Sequence, residues 1–125
     1  MTLDAAAQAD RQTATLPALP PPFTDWFAAR GWQPRAHQLA MLEAAERNED
    51  TLLIAPTGGG KTLAGFLPSL TALLGKPASG LHTLYVSPLK ALTTDIARNL
   101  ETPITEMGLA VSFAVRTGDT PANRR

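Results

Sequence analysis

Three short apolar runs alternate along the chain with longer stretches in which apolar residues recur every three or four positions. The runs are TLLIA at 51–55, LHTLYVS at 81–87 and LAVSFAV at 109–115. TLLIA is continuously apolar, the mark of a strand buried on both faces, and the other two predict strands as well. The periodic stretches predict helices. KTLAGFLPSLTALL at 61–74 is closed by Gly75, Lys76 and Pro77. Pro68 inside it removes a backbone hydrogen bond and predicts a kink. ALTTDIARNLE at 91–101 predicts a second crossover helix, and Pro103 opens a separate short helical turn that Gly108 ends. Upstream, Thr24 predicts an N-cap for TDWFAAR, which Gly31 stops in the left-handed conformation. Pro34 stands at or just before the start of RAHQLAMLEAAER, whose Leu39 and Leu42, with Ala36 and Ala40, form a buried stripe. NED at 48–50 is a polar turn. Strand, helix, strand, helix, strand predicts an α/β fold on a parallel sheet with crossover helices.

Residues 1–22 read differently. They are rich in Ala, Gln and Thr and end in Pro17, Pro20, Pro21 and Pro22, which predicts a disordered arm finishing in a polyproline-like spacer. The folded part is expected to span 23–125, and 125 residues suffice for one modest core. The formal net charge is zero, with 11 basic and 11 acidic residues, so any nucleic-acid contact must come from local groups rather than a cationic face. With no cysteine, disulfides and thiolate metal sites are excluded, and the composition suits a reducing cytosol. No apolar run approaches a membrane span, and the start, MTLDAAAQAD, is expected not to be a secretory signal.

The candidate chemistry lies between the first strand and its helix. Ala55-Pro56-Thr57-Gly58-Gly59-Gly60-Lys61-Thr62 resembles a Walker A loop, with Ala55 where the general pattern has glycine. A phosphate cradle turns backbone N–H groups inward around an anion, and glycines allow the conformations this needs. Thr57, Gly58, Gly59 and Gly60 would form the turn. Lys61 would reach the β- and γ-phosphates, the Thr62 hydroxyl would ligate Mg²⁺, and the positive end of the following helix would face the same phosphates. A glycine-rich turn that happens to precede Lys-Thr is disfavoured by the apolar run before it and the helix after it.

The opening alanine has an explanation. Residues 55–62 are similar to motif I of superfamily 2 helicases, which commonly begin the loop with Ala. GWQPRAHQ at 31–38 resembles the Q motif of that superfamily, in which a glutamine reads adenine. A carboxamide can donate to N7 and accept from the N6 amino group. The resemblance thus assigns Gln38 to the base, with Arg35 able to stack on it. Phe23, Trp26, Phe27 and Trp32 lie nearby; one can flank the adenine, although core packing is favoured for each. YVSPLKALTTD at 85–95 is similar to motif Ia of large helicase-related proteins, including the ligase-associated DNA helicases. In it Ser87, Pro88 and Lys90 would meet the backbone of a bound strand. RTGDT at 116–120 resembles a further stretch of that family, so Arg116, Thr117 and Gly118 are candidates for phosphate contact; a solvated turn is the alternative there.

The resemblance covers about residues 23–125. It implies an incomplete RecA-like P-loop domain from an ATP-dependent 3′–5′ DNA helicase of the bacterial cytosol or nucleoid. It further implies ATP and Mg²⁺ as cofactors, DNA with a single-stranded tail as partner, and work in DNA repair beside a DNA ligase or other repair proteins. Such helicases carry Asp-Glu-x-His on a later strand, and no such segment occurs here; the one acid after Glu106 is Asp119, in a loop. The chain is therefore expected to be an N-terminal piece, inactive alone, whose TLLIA and LHTLYVS runs lack their native neighbours. A nucleotide-binding module without motor activity is the alternative, and a small kinase or GTPase has little support.

Overall fold

The computed structural model describes residues 19–56, 60–76 and 79–124. Among the described residues four helices carry the fold: α1 (Pro21–Ala29), α2 (Ala36–Glu46), α3 (Lys61–Leu73) and α4 (Thr93–Glu106). A short 3₁₀ turn, Lys90–Leu92, leads into α4, and another covers Ala122–Arg124. The helices share one apolar centre of Leu19, Phe23, Trp26, Phe27, Leu42, Phe66, Leu67, Leu70 and Ile104. Each contributes a stripe at helical spacing, such as Leu63, Phe66, Leu67, Leu70 and Leu74 in the α3 segment. α2 and α4 both pack on α3. The buried Leu19 extends this core below the start of the first helix.

α1 begins earlier than Thr24. Pro20 caps it and Pro21 and Pro22 form its first turn, where a missing N–H costs no intrahelical bond. Thr24 lies inside the helix, and its hydroxyl donates back to the Pro21 carbonyl at 3.0 Å. The C-terminus follows expectation, with Gly31 at φ 66°. Its N–H donates to Ala28 O at 2.9 Å and that of Trp32 to Phe27 O at 2.8 Å, the paired bonds of a Schellman ending. α4 differs from the sequence reading: one helix runs through Pro103 to Glu106, and no separate turn begins there.

The parallel sheet is corrected by the structure. Among the described residues there is no strand, so the α/β, RecA-like reading does not describe this chain. TLLIA, LHTLYVS and LAVSFAV take no regular secondary structure and make no ladder. Leu52, Ile54, Leu84 and Val86 are 68%, 79%, 74% and 78% exposed, whereas a doubly buried strand needs both faces covered. Among the described residues, side-chain contacts hold the run at 81–87. Tyr85 packs on Phe66 at 5.2 Å between ring centroids, and Thr83 Oγ1 donates to Ser69 Oγ at 2.9 Å. Apolar burial has been satisfied by the helices, which need no partner for their backbone groups; a lone extended run has none. No helix among the described residues is long and apolar enough to cross a membrane.

Candidate nucleotide-binding site

Gly60 is the last glycine of the motif and caps the start of α3. Its backbone is left-handed, φ 75° and ψ 28°, and its carbonyl accepts the first helical bond from Ala64 N at 3.0 Å. A Cβ here would lie 2.8 Å from Gln38 Nε2. The conformation requires glycine, and any Cβ would also displace the tip of the Gln38 side chain. Lys61 and Thr62 occupy the first turn of α3, Lys61 exposed and Thr62 half-buried. The first N–H groups of a helix have no intrahelical acceptor and carry its positive end, which suits an anion. Thr57, Gly58 and Gly59 lie outside the described residues.

Gln38 answers this helix start from α2. Its side chain is buried, with 3% exposure. The carboxamide oxygen accepts the Arg35 backbone N–H at 2.9 Å, and Nε2 donates to the Gly60 carbonyl at 3.4 Å. The first bond is the returning half of a capping box; the forward half is barred because a guanidinium has no acceptor. Gln38 therefore ties the start of α2 to the start of α3. Each end of the amide keeps one further donor or acceptor site.

A cleft of about 970 Å³ runs between these elements. Arg35, Gln38, Gly60, Lys61 and Thr62 all border it, with Trp32 and Gln33 on one side and Asn99 and Thr102 of α4 on the other. The structure thus brings together the described part of the phosphate loop and the proposed base-side pair. Of the four aromatics, Phe23, Trp26 and Phe27 are buried in the core, while Trp32 stays 51% exposed.

Sequence reasoning missed the next cluster. Arg30 stacks over Trp26 and Trp32, 4.9 and 5.0 Å from the ring centroids, and forms a bidentate pair with Glu106. Trp26 Nε1 also donates to Glu106 Oε2 at 2.6 Å. These donors, Arg30 first, hold the Glu106 carboxyl below its ordinary value of 4.5. The available signal was the four-residue spacing of Trp26 and Arg30 on one helix; nothing local pointed to Glu106.

The strand-side candidates lie elsewhere. Ser87 and Leu89 close a small turn, Pro88 is exposed within it, and Lys90 opens the 3₁₀ turn before α4. Lys90 Nζ pairs with Asp119 Oδ2, which brings Lys90 beside the loop of Arg116, Thr117 and Gly118. Among the described residues no group of three His, Cys, Asp or Glu side chains could hold a metal ion.

The Gly60-Lys61-Thr62 helix start carries the sequence pattern of a P-loop. The sequence pattern of the DEAD/DEAH box helicases matches residues 35–125, and the chain belongs to that family. It is similar to helicases of the Lhr type. The Lhr helicase/probable uracil glycosylase of Mycolicibacterium smegmatis is 42% identical over 114 residues, 81% of this chain and 8% of that protein. The Lhr helicase/uracil glycosylase of Escherichia coli is 42% identical over 126 residues, covering 84% and 8%. The ATP-dependent helicase Lhr-Core protein 2 of Thermococcus barophilus is 38% identical over 115 residues, covering 79% and 13%. The chain thus spans 8% to 13% of the length of these relatives. No solved structure matches it.

Proposed function

We propose that this chain is an ATP-binding part of a DNA helicase that couples ATP hydrolysis to translocation on nucleic acid and to its unwinding, in DNA repair. The observation that carries the reading is the meeting of Gln38 with Gly60 at the start of α3. It sets an amide suited to adenine beside the residues suited to phosphate. Lys61 would reach the β- and γ-phosphates and the Thr62 hydroxyl would ligate Mg²⁺. Gly60, with Thr57, Gly58 and Gly59 beside it in the sequence, would supply backbone N–H groups to the phosphate chain. Gln38 offers its remaining donor and acceptor to the adenine edge, with Arg35 above the ring. ATP supplies the phosphoanhydride bond whose cleavage drives movement. The chain's own residues bind and orient it, which is most of what phosphoryl transfer asks of a protein.

Ser87, Pro88, Lys90, Arg116, Thr117 and Gly118 are proposed to follow the backbone of a single-stranded tail. The bacterial relatives' names join a helicase to a uracil glycosylase, and base excision supports the repair setting. A DNA ligase or other repair proteins as partners, and the bacterial cytosol or nucleoid as location, belong to the same reading. In it, the acids that hold Mg²⁺ and the arginine finger come from outside these residues, so the 125-residue chain binds nucleotide without turning it over. The test is Lys61→Ala in the complete reading frame that carries these residues. ATP turnover should be lost with the helical signal unchanged, because Lys61 is exposed at the first position of α3. Turnover near the normal rate would contradict the assignment.

A further inference from the structure

Lys90 and Asp119 are 29 residues apart, so their ion pair is a tertiary contact between the turn before α4 and the loop at 116–120. The two partners are held differently. Thr117 N donates to Thr120 Oγ1 at 2.8 Å, Thr120 N to Thr117 O at 3.1 Å and Asp119 N to Thr117 Oγ1 at 3.3 Å. That turn presents the Asp119 carboxylate on a fixed backbone. Lys90 reaches it on a flexible four-carbon stem, and both side chains stay largely in solvent, 64% and 73% exposed. The pair is therefore replaceable. A phosphate oxygen asks for the same ammonium donors as the carboxylate does.

We propose that Asp119 is a positioning residue for the strand-binding face, holding the Lys90 ammonium in an ion pair that a nucleic-acid phosphate must displace. The proposal rests on the nucleic-acid reading of that face and adds to it a residue acting through Lys90. An isolated anion gains little by exchanging one carboxylate partner for another anion. A strand gains more: once one phosphate is engaged, its neighbours meet the exposed Arg116 and the half-buried Ser87 at high effective concentration. Asp119 thus favours a polyanionic strand over single phosphates. It also limits how tightly Lys90 retains the strand, as a protein that moves along its substrate requires.

The test is a double-mutant cycle on binding of single-stranded DNA to the full chain across a range of salt, with wild type, Asp119→Asn, Lys90→Ala and the double variant. Asp119→Asn should tighten binding about threefold at low salt, the scale of an exposed ion pair. Its salt dependence should steepen by up to about one ion, since no carboxylate then recaptures a cation. In the Lys90→Ala background the gain should vanish, and Asp119→Glu should return wild-type affinity. An equal gain in both backgrounds would overturn the proposal, because Asp119 would then act through net charge. Weaker binding by Asp119→Asn would also overturn it, making the residue an organiser of the turn. Failure of the underlying reading is distinguishable: Lys90→Ala would bind like wild type at every salt concentration, whatever stands at 119.

Discussion

A methyl group on Gly60 would meet Gln38 Nε2 at 2.8 Å on a backbone already left-handed. Two penalties coincide there, and they can be separated. Left-handed backbone costs a non-glycine residue about 1–2 kcal/mol, and the contact adds to that. Gly60→Ala should therefore destabilise the protein by ~2–3 kcal/mol in urea unfolding. In a Gln38→Ala background the added cost should fall toward the backbone penalty alone, and simple additivity of the two substitutions would show that the residues do not press on each other. Glu106 is tested by pH. The Arg30 bonds, and after them the Trp26 bond, lower its carboxyl below 4.5, so the folded state favours the ionised form. This contribution is present at neutral pH and is lost as pH falls through the lowered folded value. Glu106→Gln should flatten the acid limb of the stability curve, and an unchanged acid limb would remove the cluster from the account. The sequence displayed Gly60 through its motif, but the Arg30–Glu106 pair spans 76 residues, and no local pattern reports such a contact.

At the scale of the elements, three helices end alike. Gly31, Asn48 and Gly108 stand at φ 66°, 55° and 64°. Each sits between paired bonds that turn the chain back over the last helical turn. Around Gly31 and Gly108 nothing lies within 4 Å of where a Cβ would be, so substitution costs only backbone strain. Gly31→Ala and Gly108→Ala should each lose about 1 kcal/mol, whereas Asn48→Gly should be neutral or slightly stabilising. Thermal unfolding of the three variants checks this, and a loss at Asn48→Gly equal to the others would refute it. The stops at Gly31 and Gly108 were legible because glycine marks the left-handed position, whereas Asn48 read only as part of a polar turn. Helix starts and continuations were less so. Prolines at 20–22 read as a spacer yet open α1. Pro103 read as a start yet lies within α4, where its burial with Ile104 against the core accompanies the loss of one backbone bond.

For the whole molecule, helical periodicity foretold part of the core, because a helix needs only one covered face: Leu42 is buried, but Ala36 and Ala40, read into the same stripe, are exposed. The strands were misjudged for the opposite reason. A continuous apolar run says what a segment would bury if neighbours were present, and among the described residues Leu52, Ile54, Leu84 and Val86 have no such cover. Gln38, Gly60, Lys61 and Thr62, singled out by their motifs, border one cleft. Whether that cleft takes an adenine nucleotide is the central claim. The direct measurement is the affinity of Mg-ATP and Mg-GTP for wild type and Gln38→Ala. Losing a bidentate amide contact should remove about 1–3 kcal/mol of base discrimination, so the variant should bind ATP more weakly while GTP changes little. Equal weakening of both nucleotides, or no change in either, would contradict the assignment of Gln38 to the base and with it the account of the cleft.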